Sequence, residues 1–178
     1  MEHDPELFAH LHHLLVRRGI RKLSALKHLP LFAEFEFYGK LLPRTVLDRK
    51  AWFEHLLKRS DCHDLVFFDP DIGLEVPSVA RNRKHANRYL YYDELAPFVT
   101  PNRVVLVYQH YSREQRPEYE ARIAQKLRDR CRVEHIAVLR TSAVGFFGGY
   151  GETESNRIER SLSLLKDRWS DRFEVVRL

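Results

Sequence analysis

Two short runs, "LVFF" at residues 65–68 and "VVLV" at residues 104–107, are apolar at every position. A strand with one face in water alternates apolar and polar residues. A continuous run needs both faces covered, as in a parallel sheet flanked by helices. Each run ends abruptly in polar chemistry. The first leads into Asp69-Pro70-Asp71-Ile72-Gly73, with Glu75 following, and the second leads through Tyr108 into Gln109-His110. In open α/β sheets, ligands bind outside the carboxyl ends of the strands. If the two strands, taken as 64–68 and 103–108, are parallel neighbours, both polar clusters face one crevice.

The flanking sequence alternates helix and strand. Asp4-Pro5 starts a helix over 5–17, with Leu7, Leu11, Leu14 and Leu15 on one face. The alternation in "LFAEFEFY" (residues 31–38) predicts a half-buried strand. A helix capped by Asp48 runs to about Lys58. Residues 77–88 are polar, basic and aperiodic, so they read as a loop. Asp93 caps a short helix, and a charged amphipathic helix covers 114–130. "VEHIAVLRTS" and "VGFFGGY" read as two strands joined by a tight turn, followed by a helix over 153–168 and a last strand, "FEVVRL". Strand, helix, strand in this order is the α/β signature. Length predicts one domain spanning residues 1–178.

Lys and Arg outnumber Asp and Glu by 30 to 25, a balance that weakly favours polyanionic partners. Cys62 and Cys131 stand alone, so neither a thiolate zinc site nor a disulfide framework is expected. The N-terminus lacks a signal-peptide pattern and no run has the length of a membrane helix. A cytoplasmic protein that does not enter a membrane is the expectation.

Several groups carry chemistry. Asp69, Pro70 and Asp71 satisfy the requirements of an ordinary turn. Their place at a strand's carboxyl end also suits a site, where neighbouring carboxylates perturb each other. Gln109 and His110 suit the same crevice, His110 as acid, base or donor. The segment with Arg81, Arg83, Lys84, Arg88, Tyr89, Tyr91 and Tyr92 combines cations with aromatics, which fits phosphate contact and base stacking. A solvated basic loop beside packed tyrosines is the plainer account of it. His10, His12 and His13 read as surface histidines. "FFGGYGETES" has neither the lysine of a P-loop nor dinucleotide spacing, and reads as a strand end, a turn and a helix capped by Thr153 or Ser155.

Taken together, "DLVFFDPDIGLEV", Lys84, "RYLYYDEL", "VVLVYQHYSREQR" and "VLRTSAVGFF" resemble a family of bacterial proteins carrying Asp-Pro-Asp-Asn-Gly-Leu-Glu and Tyr-Gln-His motifs. That family is itself similar to class I S-adenosylmethionine-dependent methyltransferases, the adenine-N6 type acting on nucleic acid in particular. The resemblance implies a Rossmann-like three-layer α/β sandwich with a mostly parallel sheet. It implies catalytic roles for Asp69, Pro70, Asp71, Gln109 and His110, and substrate contacts from Gly73, Glu75, Lys84, Tyr89, Tyr92 and Arg140. Asp71 and Ile72 depart from the turn of the adenine enzymes, which has a proline and an aromatic there. Members of the family begin earlier, so the chain is expected to be short at its N-terminus.

The expected function is therefore a methyltransferase-like protein acting on nucleic acid, or descended from enzymes that do. The implied cofactor is S-adenosylmethionine. With only Gly19 and Gly39 before residue 64, the chain is expected to bind it poorly or not at all. No metal is expected in this reading. An alternative uses Asp69, Asp71 and Glu75 as oxygen ligands for a divalent cation in a nuclease or phosphoesterase. A third reading is a non-catalytic binding module. Weak, salt-sensitive nucleic-acid binding and self-association through an exposed apolar edge complete the expectations.

Overall fold

The computed structural model describes residues 3–20 and 23–178. The chain divides into two compact units, residues 1–41 and residues 42–178. In the first, Asp4 accepts a bond from the Leu7 amide (3.0 Å) and Pro5 opens helix α1, Pro5–His12, which widens into a π turn over His13–Arg17. The strand expected at 31–38 is not formed. Pro30–Phe32 make a 3-10 turn instead, and the aromatics cluster locally, with Phe32 edge-on to Phe35 at 5.2 Å. Among the described residues no strand pairs with this segment, so the alternation has no ladder to join.

The second unit holds the sheet. Its strands are β1 (Leu65–Phe68), β4 (Val104–His110), β5 (His135–Arg140), β6 (Val144–Tyr150) and β7 (Glu174–Arg177), in the order β1-β4-β6-β5-β7. A separate two-stranded ladder joins β2 (Gly73–Leu74) to β3 (Tyr89–Leu90). The helices are α2 (Val46–Arg59), α3 (Tyr92–Leu95), α4 (Arg116–Cys131) and α5 (Glu152–Trp169).

β1 and β4 are adjacent and parallel, with Leu65 opposite Val104 and Phe68 opposite Val107, but β1 is an edge strand with Leu65 and Phe67 exposed, so the coverage of both faces expected of it is not formed. The mostly parallel, Rossmann-like sheet is not what forms. β4/β6, β6/β5 and β5/β7 are all antiparallel, so the sheet is mixed and mostly antiparallel. The cause is the tight turn after Arg140. Thr141 Oγ1 accepts from the Val144 amide (3.0 Å), the chain reverses as a hairpin, and β6 inserts between β4 and β5.

One face of the sheet, built from Phe68, Val105, Val107, Ile136, Val138 and Phe147, packs on Phe53 of α2, on α3 and on Tyr119, Ile123, Ala124 and Leu127 of α4. The opposite face is covered in part. Ile158 and Leu162 of α5 pack on Val104, Ala137, Leu139, Tyr150 and Val175. Caps differ from expectation by small shifts. Thr45 rather than Asp48 caps α2, and Gly151 precedes α5. No helix among the described residues is long and apolar enough to cross a membrane.

Candidate functional site

Past Phe68 the chain folds back over the end of β4. The His110 amide donates to the Ile72 carbonyl (2.9 Å), and the Ile72 and Glu75 amides donate to the carbonyls of Arg88 (3.0 Å) and Leu90 (2.8 Å). Gln109 locks this return. It is 2 % exposed. Its Oε1 accepts from the Leu74 amide (2.7 Å), and its Nε2 donates to the Tyr119 hydroxyl (2.7 Å) and the His110 carbonyl (3.0 Å). Gly73 sits directly over that amide with φ +136°, a conformation L residues rarely adopt, and a Cβ there would collide with the Gln109 carboxamide. Gln109 is thus a clip beneath the loop rather than a group lining the crevice.

The acids part ways. Asp71 pairs with Arg88 (3.5 Å). Glu75 accepts from the Tyr92 amide (3.2 Å) and faces Arg130 (3.7 Å). Asp69 alone of the three has no hydrogen bond or ion pair among the described residues. Partial burial first, and the charge of Asp71 second, raise its pKa above the usual carboxylate value. The described residues hold no group of three His, Cys, Asp or Glu able to grip a metal ion, so Asp69, Asp71 and Glu75 do not converge as ligands.

In a strand, alternate residues share a face. The register places Leu65, Phe67, Leu106, Tyr108, His110 and Phe146 on the face that α5 covers only in part. There, beyond α5, runs a row of rings. Phe67 lies against Phe146 (6.2 Å between centroids), Phe146 is edge-on to Tyr108 (5.6 Å), and Tyr108 is edge-on to His110 (5.1 Å). The Tyr108 hydroxyl and His110 Nε2 are 3.0 Å apart. Phe67 is 47 % exposed. His110, at the end of β4, is exposed on this side of the sheet.

Other expected site residues lie elsewhere. Arg140 is held by Glu120, which is 0 % exposed, through Nε (2.9 Å) and Nη2 (2.5 Å), and by Glu174 (2.8 Å). Tyr111 donates to the same Glu120 carboxylate (2.5 Å), and burial followed by that bond raises the Tyr111 pKa. Tyr92 is core, with Arg130 stacked over its ring. The basic segment is partly structural. Arg81 pairs with Asp93 and lies over Tyr91 (4.5 Å), while Tyr89 is half-buried and offers its carbonyl to Arg49 (2.6 Å). Lys84 and Arg83 are exposed. The ring row of Phe67, Tyr108 and Phe146 escaped the sequence reading. Its signal was parity: Phe67 and Tyr108 occupy alternate positions on runs read as buried on both sides.

The implied cofactor can be tested against these residues. S-adenosylmethionine needs backbone in close approach at a glycine. Among the described residues upstream of β1 there is no strand, and a Cβ built on Gly19 or Gly39 meets nothing within 4 Å. These residues do not form a cradle for it. Compared with protein families, with curated proteins and with solved structures, the chain has no match.

Proposed function

We propose that this protein binds single-stranded nucleic acid, laying bases on the ring row Phe67–Phe146–Tyr108–His110 beside Asp69. The observation that carries the reading is this partly exposed aromatic row on an open sheet face, with Asp69 following Phe67 by two residues in the chain. Stacking on rings tolerates any base, because every base has a π face, and a carboxylate discriminates by accepting from an exocyclic amino group. The excess of Lys and Arg and the exposed Arg83, Lys84 and Arg113 supply attraction for phosphate. The resemblance of Asp69-Pro70 to the start of the base-holding turn of adenine methyltransferases fits a protein that handles bases, and we assign it binding rather than methyl transfer.

Fluorescence anisotropy with a labelled, unstructured oligonucleotide tests this. Phe67→Ala or Tyr108→Ala is expected to cost about 1–3 kcal/mol, roughly 5- to 150-fold in Kd. Affinity should fall with added salt and should be weaker for a duplex, whose bases are already stacked. Binding that neither substitution weakens would overturn the reading.

The carboxylates give a second expected result. Burial and the Asp71 charge both hold Asp69 towards its protonated form, so ionising Asp69 works against the folded state as pH rises through its titration. Asp64 is the opposite case. Its bond to Arg157 lowers its pKa, and that contribution is lost as pH falls. Asp71→Asn removes one of the two causes at Asp69. The Asp69 carboxyl midpoint, followed by carbon NMR, should move down and stay above the ordinary value. An unchanged midpoint would remove Asp71 from the account.

A further inference from the structure

β1 ends the sheet. Among the described residues its one paired strand is β4, and no backbone hydrogen bond joins Leu65–Phe68 to anything on the outer side. Such an edge presents bare N–H and C=O groups, and proteins usually guard it with charge, proline or a covering segment. The opposite edge is guarded. β7 carries Glu174, paired with Arg140, and Arg177, paired with Glu159, and the Leu178 carbonyl beyond it accepts from Arg128 (2.7 Å). β1 has neither a charged residue nor proline, and Leu65 and Phe67 are 44 % and 47 % exposed.

The edge is also self-complementary. A two-fold axis normal to a sheet keeps each face on its own side, so residues opposite each other must have the same parity. Centred on Val66, antiparallel pairing sets Leu65 of each copy opposite Phe67 of the other, two apolar cross-strand pairs on the open face. Val66 meets Val66. Asp69 comes opposite His63, which places carboxylate beside imidazole. Asp64, whose charge Arg157 neutralises, comes opposite Phe68; centred on Phe67, the same geometry instead sets Leu65 opposite Asp69, an apolar group against an acid with no partner among the described residues. The strand's approach is already fixed: Arg103, itself buried, donates to the carbonyls of His63 (3.1 Å) and Ser60 (2.9 Å).

We propose that two copies of this chain associate through β1, antiparallel and centred on Val66, joining their five-stranded sheets into one continuous sheet. The two ring rows then lie on one face of that sheet, side by side. The inference stands apart from nucleic-acid binding, because association is measured without nucleic acid.

Sedimentation equilibrium of the full chain over a range of concentrations reads it directly, with a dimer expected. Leu65→Lys is expected to weaken the dimer roughly tenfold or more, because an ammonium then faces Phe67 across the pair. Leu65 is already half in water, so the circular dichroism spectrum of the variant should match that of the parent, while its Tm should lose the dependence on concentration that dimerisation gives the parent. For the register, Leu65→Cys and Phe67→Cys proteins, each also carrying Cys62→Ser, are mixed in a glutathione buffer. A disulfide between the two different variants is expected to predominate. A monomer at every concentration overturns the proposal, as does a dimer that Leu65→Lys leaves intact. Self-linking of Phe67→Cys as the main product overturns the register.

Discussion

Replacing Gly73 with alanine is expected to destabilise the protein by about 2–6 kcal/mol, from two additive causes. At φ +136° a Cβ clashes with its own backbone, which costs about 1–3 kcal/mol. The same Cβ meets the Gln109 carboxamide, and forcing atoms into a packed site costs about 1–3 kcal/mol more. Gln109 cannot swing away cheaply. Its two ends bond the Leu74 amide and the Tyr119 hydroxyl, and leaving a buried polar group unpaired costs about 1–3 kcal/mol. The causes separate in a Gln109→Ala background. There the collision is gone and only the backbone conformation penalises alanine, so the increment from Gly73→Ala should shrink by roughly half. Urea denaturation of the four proteins gives the cycle. A Gly73→Ala variant as stable as its parent would show that the loop does not sit on Gln109.

Arg49→Met is expected to cost about 3–5 kcal/mol, the effect of removing one partner from a buried ion pair. Arg49 is 3 % exposed. Its Nε and Nη2 bond the Glu94 carboxylate, and Nη1 and Nη2 reach the carbonyls of Ala86 (3.3 Å) and Tyr89 (2.6 Å). The guanidinium also lies over the Phe53 and Tyr91 rings, at 5.6 and 5.1 Å. The helix start at Tyr91 and the end of the basic segment are thereby tied to α2. Pairing Arg49→Met with Glu94→Leu should recover only part of the loss. It removes the stranded carboxylate but leaves the Ala86 and Tyr89 carbonyls without their donor. Limited proteolysis should show faster cleavage within residues 77–88 in the single variant. A loss below about 1 kcal/mol would mean that this pair is not holding the segment.

The sequence made the pairing of β1 with β4 legible from two wholly apolar runs, although only β4 is covered on both faces and β1 leaves Leu65 and Phe67 exposed. It also located the polar turn at the strand end. The direction of the remaining strands was less visible. Apolar character reports coverage by helices, not strand direction, and β5, β6 and β7 are covered while running antiparallel to their neighbours. The short turn at Thr141 was the available clue. Residues 31–38 had the right alternation for a strand but no partner strand among the described residues, and pairing is a property of the fold rather than of the segment. At the candidate site, residue type suggested Gln109, Tyr92 and Arg140 as ligand contacts. Each instead serves the packing of the fold. Gln109 clips a loop, Tyr92 packs under Arg130, and Arg140 neutralises Glu120. The ring row was hidden because it is assembled from three strands, β1, β4 and β6, that are far apart in sequence.

Proton NMR of the aromatic side chains during titration with an unstructured oligonucleotide tests the central claim most directly. Ring protons of Phe67, Tyr108, Phe146 and His110 should shift together, and along one binding curve, as bases stack on them. Shifts that spare these four residues, with the oligonucleotide bound elsewhere or not at all, would contradict the assignment of this face.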